Sequence, residues 1–533
     1  MSLSSLLQVL KLIGASLAIL FAAPLVGYAY TAIVQARSYA HLDGPPSKNF
    51  VLGNLQDEMN DHDSSLLTQW LNKYGRIYKV TRHFGKPEIV LNDLKAIAHV
   101  LKNDYDYQKP DELQFIATEW KGILIAEGDE HRKQRRVMNP AFGPAQIREL
   151  TNIFIDKSIE LRDAWNQIIQ KETGVGHIDG LGWLTRMTLD VIGHAGFGYQ
   201  FHAMQDLDKP NELNTAFSHI FETGTNQLPP IVLAKLFWSF LRPLPDGDAK
   251  FRQAHATMST IGKKLLAERK NGSDDRDGKD LLSLLVKANT SSELSERQRL
   301  SDSTVLAQVP TFLVAGHETT STATTFALHN LTGNLDVQSK LRAELLAVLT
   351  DTPAMEQLNS LPYLDAVVRE TLRLSPPVVY TTRIAFKDDV IPLDEPFTDK
   401  NGVVHHELRI KRGTEVQIPI VAMNRDVALW GDDAFEFKPE RWEKLPEAIT
   451  AVPGIWGNLM TFLGGAHACI GWRFSVIEIK ALLFTLVRAF EFELAVPRDM
   501  VLIRQGLLVQ RPAVKGSEET NDLPLLIRPV LVA

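Results

Sequence analysis

The stretch TFLGGAHACIGWRF, residues 461–474, contains the only cysteine of a 533-residue chain. Gly464 and Gly465 precede Cys469, Gly471 follows it, and an apolar periodic run begins directly afterwards. A thiolate is a strong, soft metal ligand, and glycines let the backbone come close to a flat ligand. A helix that begins near the last glycine would aim its N–H groups at the sulfur, which predicts a lowered thiol pKa and a metal-binding role. A buried structural cysteine is the alternative.

The composition of the chain is that of a globular protein. Hydrophobic residues make up 44% of the chain, charged residues make up 23%, and the net charge at pH 7 is −7. A dedicated nucleic-acid binder usually has a strong basic excess, so the net charge argues against this class. A single cysteine excludes an internal disulfide framework and a CxxC-type zinc site, and it fits a reducing compartment.

The N-terminal forty residues differ from the rest of the chain. No charged residue occurs between Lys11 and Arg37, and a helix over residues 12–34 would be about 34 Å long, enough to cross a bilayer core of about 30 Å. A cleavable signal peptide is the alternative, but its apolar segment would be only about 7–15 residues long. We therefore predict a single-pass membrane anchor at residues 1–40 and a cytosolic catalytic domain at residues 41–533.

Helical periodicity dominates the remainder, and short strand-like runs interrupt it. The pattern predicts helices at residues 152–170, 211–222, 250–269, 303–331, 337–349, 363–374 and 472–490. It predicts strands at residues 77–81, 88–91 and 384–391. The polar stretch NGSDDRDGKD, residues 271–280, is predicted to be a surface loop, because chemical motifs lie on both sides of it. The expected fold is one large, mainly α-helical domain with small β-sheets.

The complete spacing around the cysteine carries a family resemblance. The pattern Phe462-x-x-Gly465-x-His467-x-Cys469-x-Gly471 resembles the haem-ligand loop of the cytochrome P-450 superfamily, the haem-thiolate monooxygenases. The resemblance implies that the cysteine is the axial ligand of the haem iron. The histidine stands where the family usually has an arginine, and it is expected to contact a haem propionate. A leucine follows the phenylalanine, where a small or polar residue is usual.

Two further segments resemble the structural network of the same family. Glu370 and Arg373 lie three residues apart, on one face of a predicted helix, and two prolines end that helix directly afterwards. The segment FEFKPERW, residues 435–442, contains Arg441. The resemblance implies that this arginine joins the first two residues in a buried ionic network behind the haem.

The stretch VAGHETTSTATT, residues 314–325, matches the oxygen-binding helix of the family at Ala315, Gly316, Glu318 and Thr319. A threonine within a helix can bond to the carbonyl four residues earlier. The glycine is expected to leave space beside the threonine, and an acid stands next to an alcohol. The resemblance implies that Glu318 and Thr319 relay protons to bound oxygen. A buried helix with small residues for close packing is the alternative.

The resemblance also implies two arginine contacts with haem propionates. Arg135 lies in EHRKQRRVMNPAF, residues 130–142, on a helix where the family often has a tryptophan four residues before the arginine. His131 replaces that tryptophan. Arg383 follows Arg373 by ten residues and matches another propionate position by spacing. The other basic residues of the first segment are expected to face solvent or an acidic reductase.

The ordered motifs extend from residue 44 to residue 511 and imply a cytochrome P-450 fold that holds haem b between the helix of Thr319 and the loop of Cys469. They imply a monooxygenase that inserts one atom of O2 into a hydrophobic small molecule. Electrons would come from an NADPH–cytochrome P-450 reductase, with cytochrome b5 as an optional second donor, because the chain has no flavin or nicotinamide domain. The layout resembles the microsomal class and a fungal style, so we expect the endoplasmic reticulum membrane, contact with lipid and no nucleic-acid partner.

Two other functions remain open at this point. One is a reductase-independent haem-thiolate isomerase, dehydratase or peroxygenase, which the retained Glu318–Thr319 pair argues against. The other is a non-catalytic haem protein that binds a ligand or gas. The expected pocket walls are largely apolar and favour a hydrophobic or amphipathic substrate; they comprise residues 104–123, 203–243, 305–315, 378–382 and 505–509.

Overall fold

The computed structural model describes residues 3–110, 122–172, 174–205, 280–290, 298–506, 508–517 and 520–530, with residue 295 and single positions between residues 253 and 267. Several predicted segments lie wholly or mostly outside the described residues. They are the helices at residues 211–222 and 250–269, the loop at residues 271–280 and the pocket walls at residues 104–123 and 203–243.

Helices form most of the described chain. The predicted helices beginning at residues 152, 303, 337, 363 and 472 are confirmed, with shifted ends. The first begins earlier than predicted, at Pro144, because proline is well suited to the first helical turn. The described helices, in chain order, are α1 (Leu3–Ser38), α2 (Leu55–Met59), α3 (Leu66–Tyr74), α4 (Leu94–Lys102), α5 (Gly128–Met138), α6 (Pro144–Lys171), α7 (Gly180–Phe197), α8 (Leu281–Thr290), α9 (Asp302–Thr332), α10 (Leu335–Leu346), α11 (Met355–Asn359), α12 (Pro362–Leu374), α13 (Ile420–Asn424), α14 (Val427–Trp430) and α15 (Trp472–Ala489).

The strands form small sheets around this helical body. In chain order they are β1 (Ile77–Thr81), β2 (Pro87–Leu91), β3 (Tyr107–Gln108), β4 (Gly176–Asp179), β5 (Thr381–Ala385), β6 (Asp389–Thr398), β7 (Val404–Ile410), β8 (Glu415–Ile418), β9 (Phe490–Leu494), β10 (Val501–Gln505), β11 (Gln510–Val514) and β12 (Pro524–Pro529). Strands β1-β2-β8-β5-β3 form one sheet, β4-β12-β9 form a second, and β6-β7 and β10-β11 are two-stranded.

The strand predictions are right at two of three places. Residues 77–81 and 88–91 form β1 and β2, which pair antiparallel. The single strand predicted at residues 384–391 is wrong. The chain bends at residues 386–387, so β5 pairs within the five-stranded sheet whereas β6 leaves it to pair with β7.

Helix α9 passes through the interior and packs against α7 and α15. Most of its side chains are buried, including a run of threonine and serine residues, most of which bond within the helix or across it. For example, the Thr188 hydroxyl of α7 donates to the His317 carbonyl at 3.1 Å, and the hydroxyl groups of Thr320 and Ser475 lie 3.0 Å apart. These contacts fix α9 between its two neighbours.

Helix α1 contacts the rest of the protein through its C-terminal part. The Tyr28 hydroxyl donates to the His83 carbonyl at 2.9 Å, and the Tyr28 ring meets the Phe84 ring edge to face. Among the residues that the structure describes, no helix combines the length and apolar character needed to cross a membrane. The structure therefore does not confirm the predicted transmembrane helix.

Helix α15 carries a buried carboxyl group. Glu478 is fully buried, and neither of its side-chain oxygens has a hydrogen-bond partner within the described part of the chain. Burial raises its pKa well above the ordinary value of 4.5, because the charged form is poorly solvated inside the protein. The folded protein therefore holds this proton to a higher pH than the unfolded chain does.

We expect Glu478→Gln to stabilise the protein at neutral pH by about 1–3 kcal/mol, since each pH unit between the unfolded and folded pKa is worth about 1.4 kcal/mol. Below about pH 4.5 the folded and unfolded states both carry the proton, so the stabilisation by Glu478→Gln vanishes. The stabilisation grows as the pH rises towards the pKa of Glu478 in the folded state. Thermal unfolding between about pH 5 and about pH 8 measures the gain. The exposed Glu447 provides the control variant Glu447→Gln. A gain that is independent of pH would contradict the assignment.

Candidate active site

Cys469 lies in the loop that precedes α15. Its N–H donates to the Phe462 carbonyl at 2.9 Å, and the Gly471 N–H points at its thiol. The loop follows this path because Gly465 has a φ of 69° and lies against the backbone of Leu101, where a Cβ atom would be only 2.5 Å from the carbonyl oxygen. The Cys469 side chain is exposed. Residue 465 must therefore be glycine because the loop packs closely against the backbone of Leu101.

The pKa of the Cys469 thiol differs from the sequence prediction. Burial of its surroundings raises the pKa, whereas the Gly471 N–H and the Arg135 charge lower it by less. The predicted lowering is therefore wrong for the polypeptide itself, because desolvation outweighs both favourable contacts. Coordination to a metal ion deprotonates a thiol outright. An accessible thiol with an amide donor and an arginine beside it fits an iron–thiolate site.

Leu463 occupies a backbone conformation that residues other than glycine rarely adopt, with a φ of 55°. Its N–H donates to the Met460 carbonyl at 2.8 Å, and its carbonyl accepts from the Ile455 N–H at 3.0 Å. Its side chain is partly buried against the main core. The leucine at this position is thus accommodated by two backbone hydrogen bonds and by packing.

His467 belongs to a cluster of charged and polar side chains. Its Nε2 lies 3.0 Å from Oε2 of Glu127, and Nζ of Lys109 lies 3.1 Å from its Nδ1. Its ring stacks on that of His131, with centroids 3.9 Å apart. Burial opposes ionisation of Glu127, but hydrogen bonds and charges from His467 and Lys109 lower its pKa to about 2. His467, the expected propionate donor, thus contacts the carboxylate of Glu127. The sequence did not indicate this contact.

Arg135 and Arg383 approach the site from two elements. Nη1 of Arg135, on α5, donates to the Ala468 carbonyl of the cysteine loop at 2.9 Å. Nη1 of Arg383, on β5, donates to Oγ1 of Thr381 and to the carbonyl of Thr382, both at 2.8 Å. Burial lowers the pKa of both guanidinium groups. The structure thus brings Arg135 to the cysteine loop. Arg383 interacts electrostatically with the neighbouring Glu127.

The structure brings Glu370, Arg373 and Arg441 together behind the cysteine loop. Nη2 and Nε of Arg373 donate to the two oxygens of Glu370 at 2.8 and 2.9 Å. Nε of Arg441 donates to Oε1 of Glu370 at 3.3 Å, and Nε1 of Trp442 donates to Oε2 at 3.0 Å. Arg373 also donates to the carbonyls of Asn424 at 2.9 Å, Ala434 at 2.6 Å and Glu436 at 3.0 Å. Sequence reasoning missed the tryptophan.

Helix α9 presents Ala315 and Thr319 on an accessible face. The Thr319 hydroxyl donates to the Ala315 carbonyl at 2.8 Å, as expected for a threonine within a helix. Gly316 has the close-packing role that the sequence analysis gave as the alternative. A Cβ atom there would lie 2.9 Å from the side chain of Ile192 on α7, so the glycine permits close packing of the two helices. The expected space beside the threonine stays a prediction.

Glu318 is buried and contacts groups other than Thr319. Nη2 of Arg511, on β11, donates to its Oε2, and Nε2 of His317 lies 3.0 Å from its Oε1. Burial raises its pKa, but the charges of the arginine and the histidine outweigh burial and lower the pKa below 4.5. Successive residues of a helix point in different directions, so the acid and the alcohol do not meet directly.

Comparisons with known proteins extend over nearly the whole chain. The family model described as Cytochrome P450 matches residues 43–515. Cytochrome P450 monooxygenase 128 of Postia placenta is 49% identical over 510 residues, which cover 91% of this chain and 92% of the relative. Cytochrome P450 monooxygenase 205 of the same fungus is 48% identical over 503 residues, and cytochrome P450 monooxygenase claW of Ampulloclitocybe clavipes is 36% identical over 507 residues; each alignment covers 92% of both proteins.

Proposed function

Because this chain belongs to the cytochrome P450 family and is a haem-thiolate monooxygenase, we propose that Cys469 is the axial ligand of a haem b iron. The observation that carries the proposal is the placement of the sole cysteine, whose accessible thiol receives the Gly471 N–H and lies near Arg135. Thiolate ligation of haem favours O–O bond cleavage. Arg135 and Arg383 would balance the propionate charges, and His467 would donate a hydrogen bond to a propionate.

Electrons would enter across α5, from an NADPH–cytochrome P-450 reductase with cytochrome b5 as an optional second donor. Arg132 and Arg136 of this helix are exposed, whereas Arg135 reaches the loop of Cys469. An acidic partner surface would complement these charges and speed association at low ionic strength. A reductase-supported rate that does not fall as salt is added would contradict this docking mode.

The substrate would be a hydrophobic small molecule. Among the described residues of the expected pocket walls, Val305, Val309, Phe312, Val379 and Val509 are apolar and largely buried. Such surfaces bind ligands mainly by removing apolar area from water, so they select for size and shape more than for polar groups.

The enzyme would reside at the endoplasmic reticulum membrane, with residues 1–40 in contact with lipid and the catalytic domain in the cytosol. The support is the charge-free segment and the exposed apolar side chains of α1, among them Leu20, Leu25 and Val26. Cell fractionation of the full chain and of a variant beginning at residue 27, which keeps Tyr28, tests this location. Recovery of the full chain in the soluble fraction would contradict it.

The test of the function is reductase-dependent turnover, combined with the carbon-monoxide difference spectrum of the reduced protein. We expect a strongly red-shifted Soret band and oxygen-dependent product only when NADPH and reductase are both present. Product formed without reductase would instead support an isomerase, dehydratase or peroxygenase. The spectral band without any turnover would support a non-catalytic haem protein.

We expect Thr319→Ala to keep the spectrum but to lower productive turnover by about 10²-fold, because a positioned proton donor contributes at least that much. The share of NADPH electrons recovered as hydrogen peroxide should rise several-fold. Thr325→Ala is the matched control, since Thr325 makes the same type of bond, to the Ser321 carbonyl at 2.8 Å, but is buried. An unchanged peroxide share in the first variant would remove Thr319 from proton delivery.

A further inference from the structure

A recess with ≈ 320 Å³ of empty space, including its open mouth, adjoins the expected substrate pocket. Val379, Tyr380 and Gln505 line the recess, and all three belong to the pocket walls predicted from the sequence. Glu58, on α2, and Asp61, in the loop between α2 and α3, line the same recess. Two acidic residues therefore lie at the edge of the expected pocket.

The carboxylate of Glu58 is only partly compensated. Its side chain is 6% exposed, and its Oε1 lies 2.9 Å from Nη1 of Arg82. Its Oε2 is buried and has no hydrogen-bond partner among the described residues. The same guanidinium group also pairs with Glu88, so one positive charge serves two buried carboxylates. Because a buried carboxylate without full compensation is unfavourable, Oε2 of Glu58 is an acceptor for a further hydrogen-bond donor in the recess.

Asp61 adds a second carboxylate to the recess. Its two oxygens accept the N–H groups of Ser65 at 3.3 Å and of Leu66 at 3.1 Å, at the start of α3. Arg425, which follows α13, interacts electrostatically with both Asp61 and Asp63. Here too, one guanidinium group serves two carboxylates. The contacts of Glu58 and Asp61 thus leave an excess of negative charge beside the recess.

The lining of the recess fits an organic cation that carries an apolar body. Cationic N–H groups form strong hydrogen bonds with carboxylates, and the face of a tyrosine ring attracts cations. The Tyr380 ring already has the Arg82 guanidinium group 6.0 Å from its centroid. Leu67, Val379 and Val421 supply apolar surface for a hydrocarbon chain. Within the described part of the chain, no group of three or more histidine, cysteine or acidic residues is placed to hold a metal ion.

We propose that this recess binds the protonated amine or guanidinium group of an amphipathic substrate, with Glu58 and Asp61 as the acceptors of its hydrogen bonds. The inference rests on the proposed monooxygenase function, because it assigns a polar contact to the substrate of that same enzyme. The apolar body of the substrate would continue past Val379 into the expected pocket. The distance between the cationic group and the oxidised carbon would then help to select the substrate.

The first test is calorimetric titration of the full-length, haem-loaded protein with octylguanidinium and with octylurea, its uncharged counterpart. A guanidinium group stays protonated and has no acceptor lone pair, so its binding is not confused with ligation of the iron. We expect octylguanidinium to bind at least about tenfold more tightly than octylurea, because hydrogen bonds between charged groups are the stronger ones. Equal affinities would overturn the proposal.

Variants of the two carboxylates locate the binding site. Glu58→Gln and Asp61→Asn should each weaken the binding of octylguanidinium by about tenfold and leave that of octylurea unchanged. Arg82 keeps Glu88 as a partner in the first variant. Asp57→Asn is the matched control and should bind as the wild type does, because Asp57 neighbours Glu58 on α2 but lies outside the lining of the recess. Unchanged affinity in both carboxylate variants would place the cation elsewhere and overturn the proposal.

The pH dependence of the wild type tests the site without any substitution. Burial and a hydrogen bond with Asp63 raise the pKa of Asp61 to about 6. The titratable or charged groups around Asp61 are Glu58, Asp63, Tyr380 and Arg425. As the pH falls from about 7.5 to about 5, Asp61 becomes neutral, so the affinity for octylguanidinium should fall several-fold and that for octylurea should not. A constant affinity for octylguanidinium would exclude Asp61 as an acceptor and overturn the proposal.

Turnover connects the recess to the reaction. In reductase-supported oxidation of octylguanidinium, Glu58→Gln should raise KM by about tenfold and change kcat by less than about twofold, as loss of a binding contact does. A lowered kcat with an unchanged KM would contradict a binding role. The calorimetric tests need no reductase. If they succeed while the wild type lacks the red-shifted carbon-monoxide band, the monooxygenase proposal fails and the recess remains a cation-binding site.

Discussion

Replacing Cys469 by alanine should abolish the red-shifted Soret band of the reduced carbon-monoxide complex and lower turnover by at least about 10³-fold, or about 4 kcal/mol of transition-state stabilisation. The physical reason is that no other residue of the chain can supply a thiolate, since Cys469 is the sole cysteine. The difference spectrum and the reductase-supported rate measure the two effects.

The control for this variant lies in the same loop. Ala466 is exposed, so Ala466→Ser changes the polarity of the loop without touching the thiol, and the band should persist. Cys469→Ser keeps the size of the side chain and should lose the band as alanine does. A red-shifted band in either cysteine variant would show that the iron ligand is not Cys469.

Replacing Arg373 by methionine should destabilise the protein by about 3–5 kcal/mol, because it leaves the fully buried carboxylate of Glu370 without its main partner. Arg373→Lys should not rescue stability, since a single ammonium group cannot bond to both carboxylate oxygens and to the neighbouring carbonyls. The temperature of unfolding and the fraction of protein that retains haem measure the effect.

The matched control is an exposed ion pair of the same type. Arg148 pairs with Glu356 at the surface, where both side chains are about half exposed. Arg148→Met should cost at most about 1 kcal/mol, because water solvates the remaining charge. Equal losses in the two methionine variants would mean that the Arg373 network contributes no more than a surface pair.

Much of the fold could be predicted because it depends on local pattern. The helices α9, α12 and α15 follow from apolar periodicity, and the ends of α12 follow from its prolines. The division between β5 and β6 could not be predicted. It depends on which neighbouring strand each segment pairs with, and periodicity within one segment does not contain that information.

In the candidate site, too, contacts between residues close in sequence could be predicted, whereas contacts between distant residues could not. Glu370 and Arg373 are three residues apart in one helix, so their contact follows from helical geometry. The contact between Glu318 and Arg511 joins residues 193 positions apart, and no spacing rule indicates it. The direction of the shift in the Cys469 pKa also needed the structure, because it depends on how much of the surroundings is desolvated.

The positive φ of Leu463 bears on which residues this position of the loop can accept. The conformation costs a residue with a side chain roughly 1–3 kcal/mol, which glycine would avoid. Glycine would in turn give up the packing of the leucine side chain and would gain freedom in the unfolded chain. These opposing terms are of similar size, so leucine and glycine at this position should give similar free energies of unfolding, whereas alanine would keep the conformational cost and lose most of the packing.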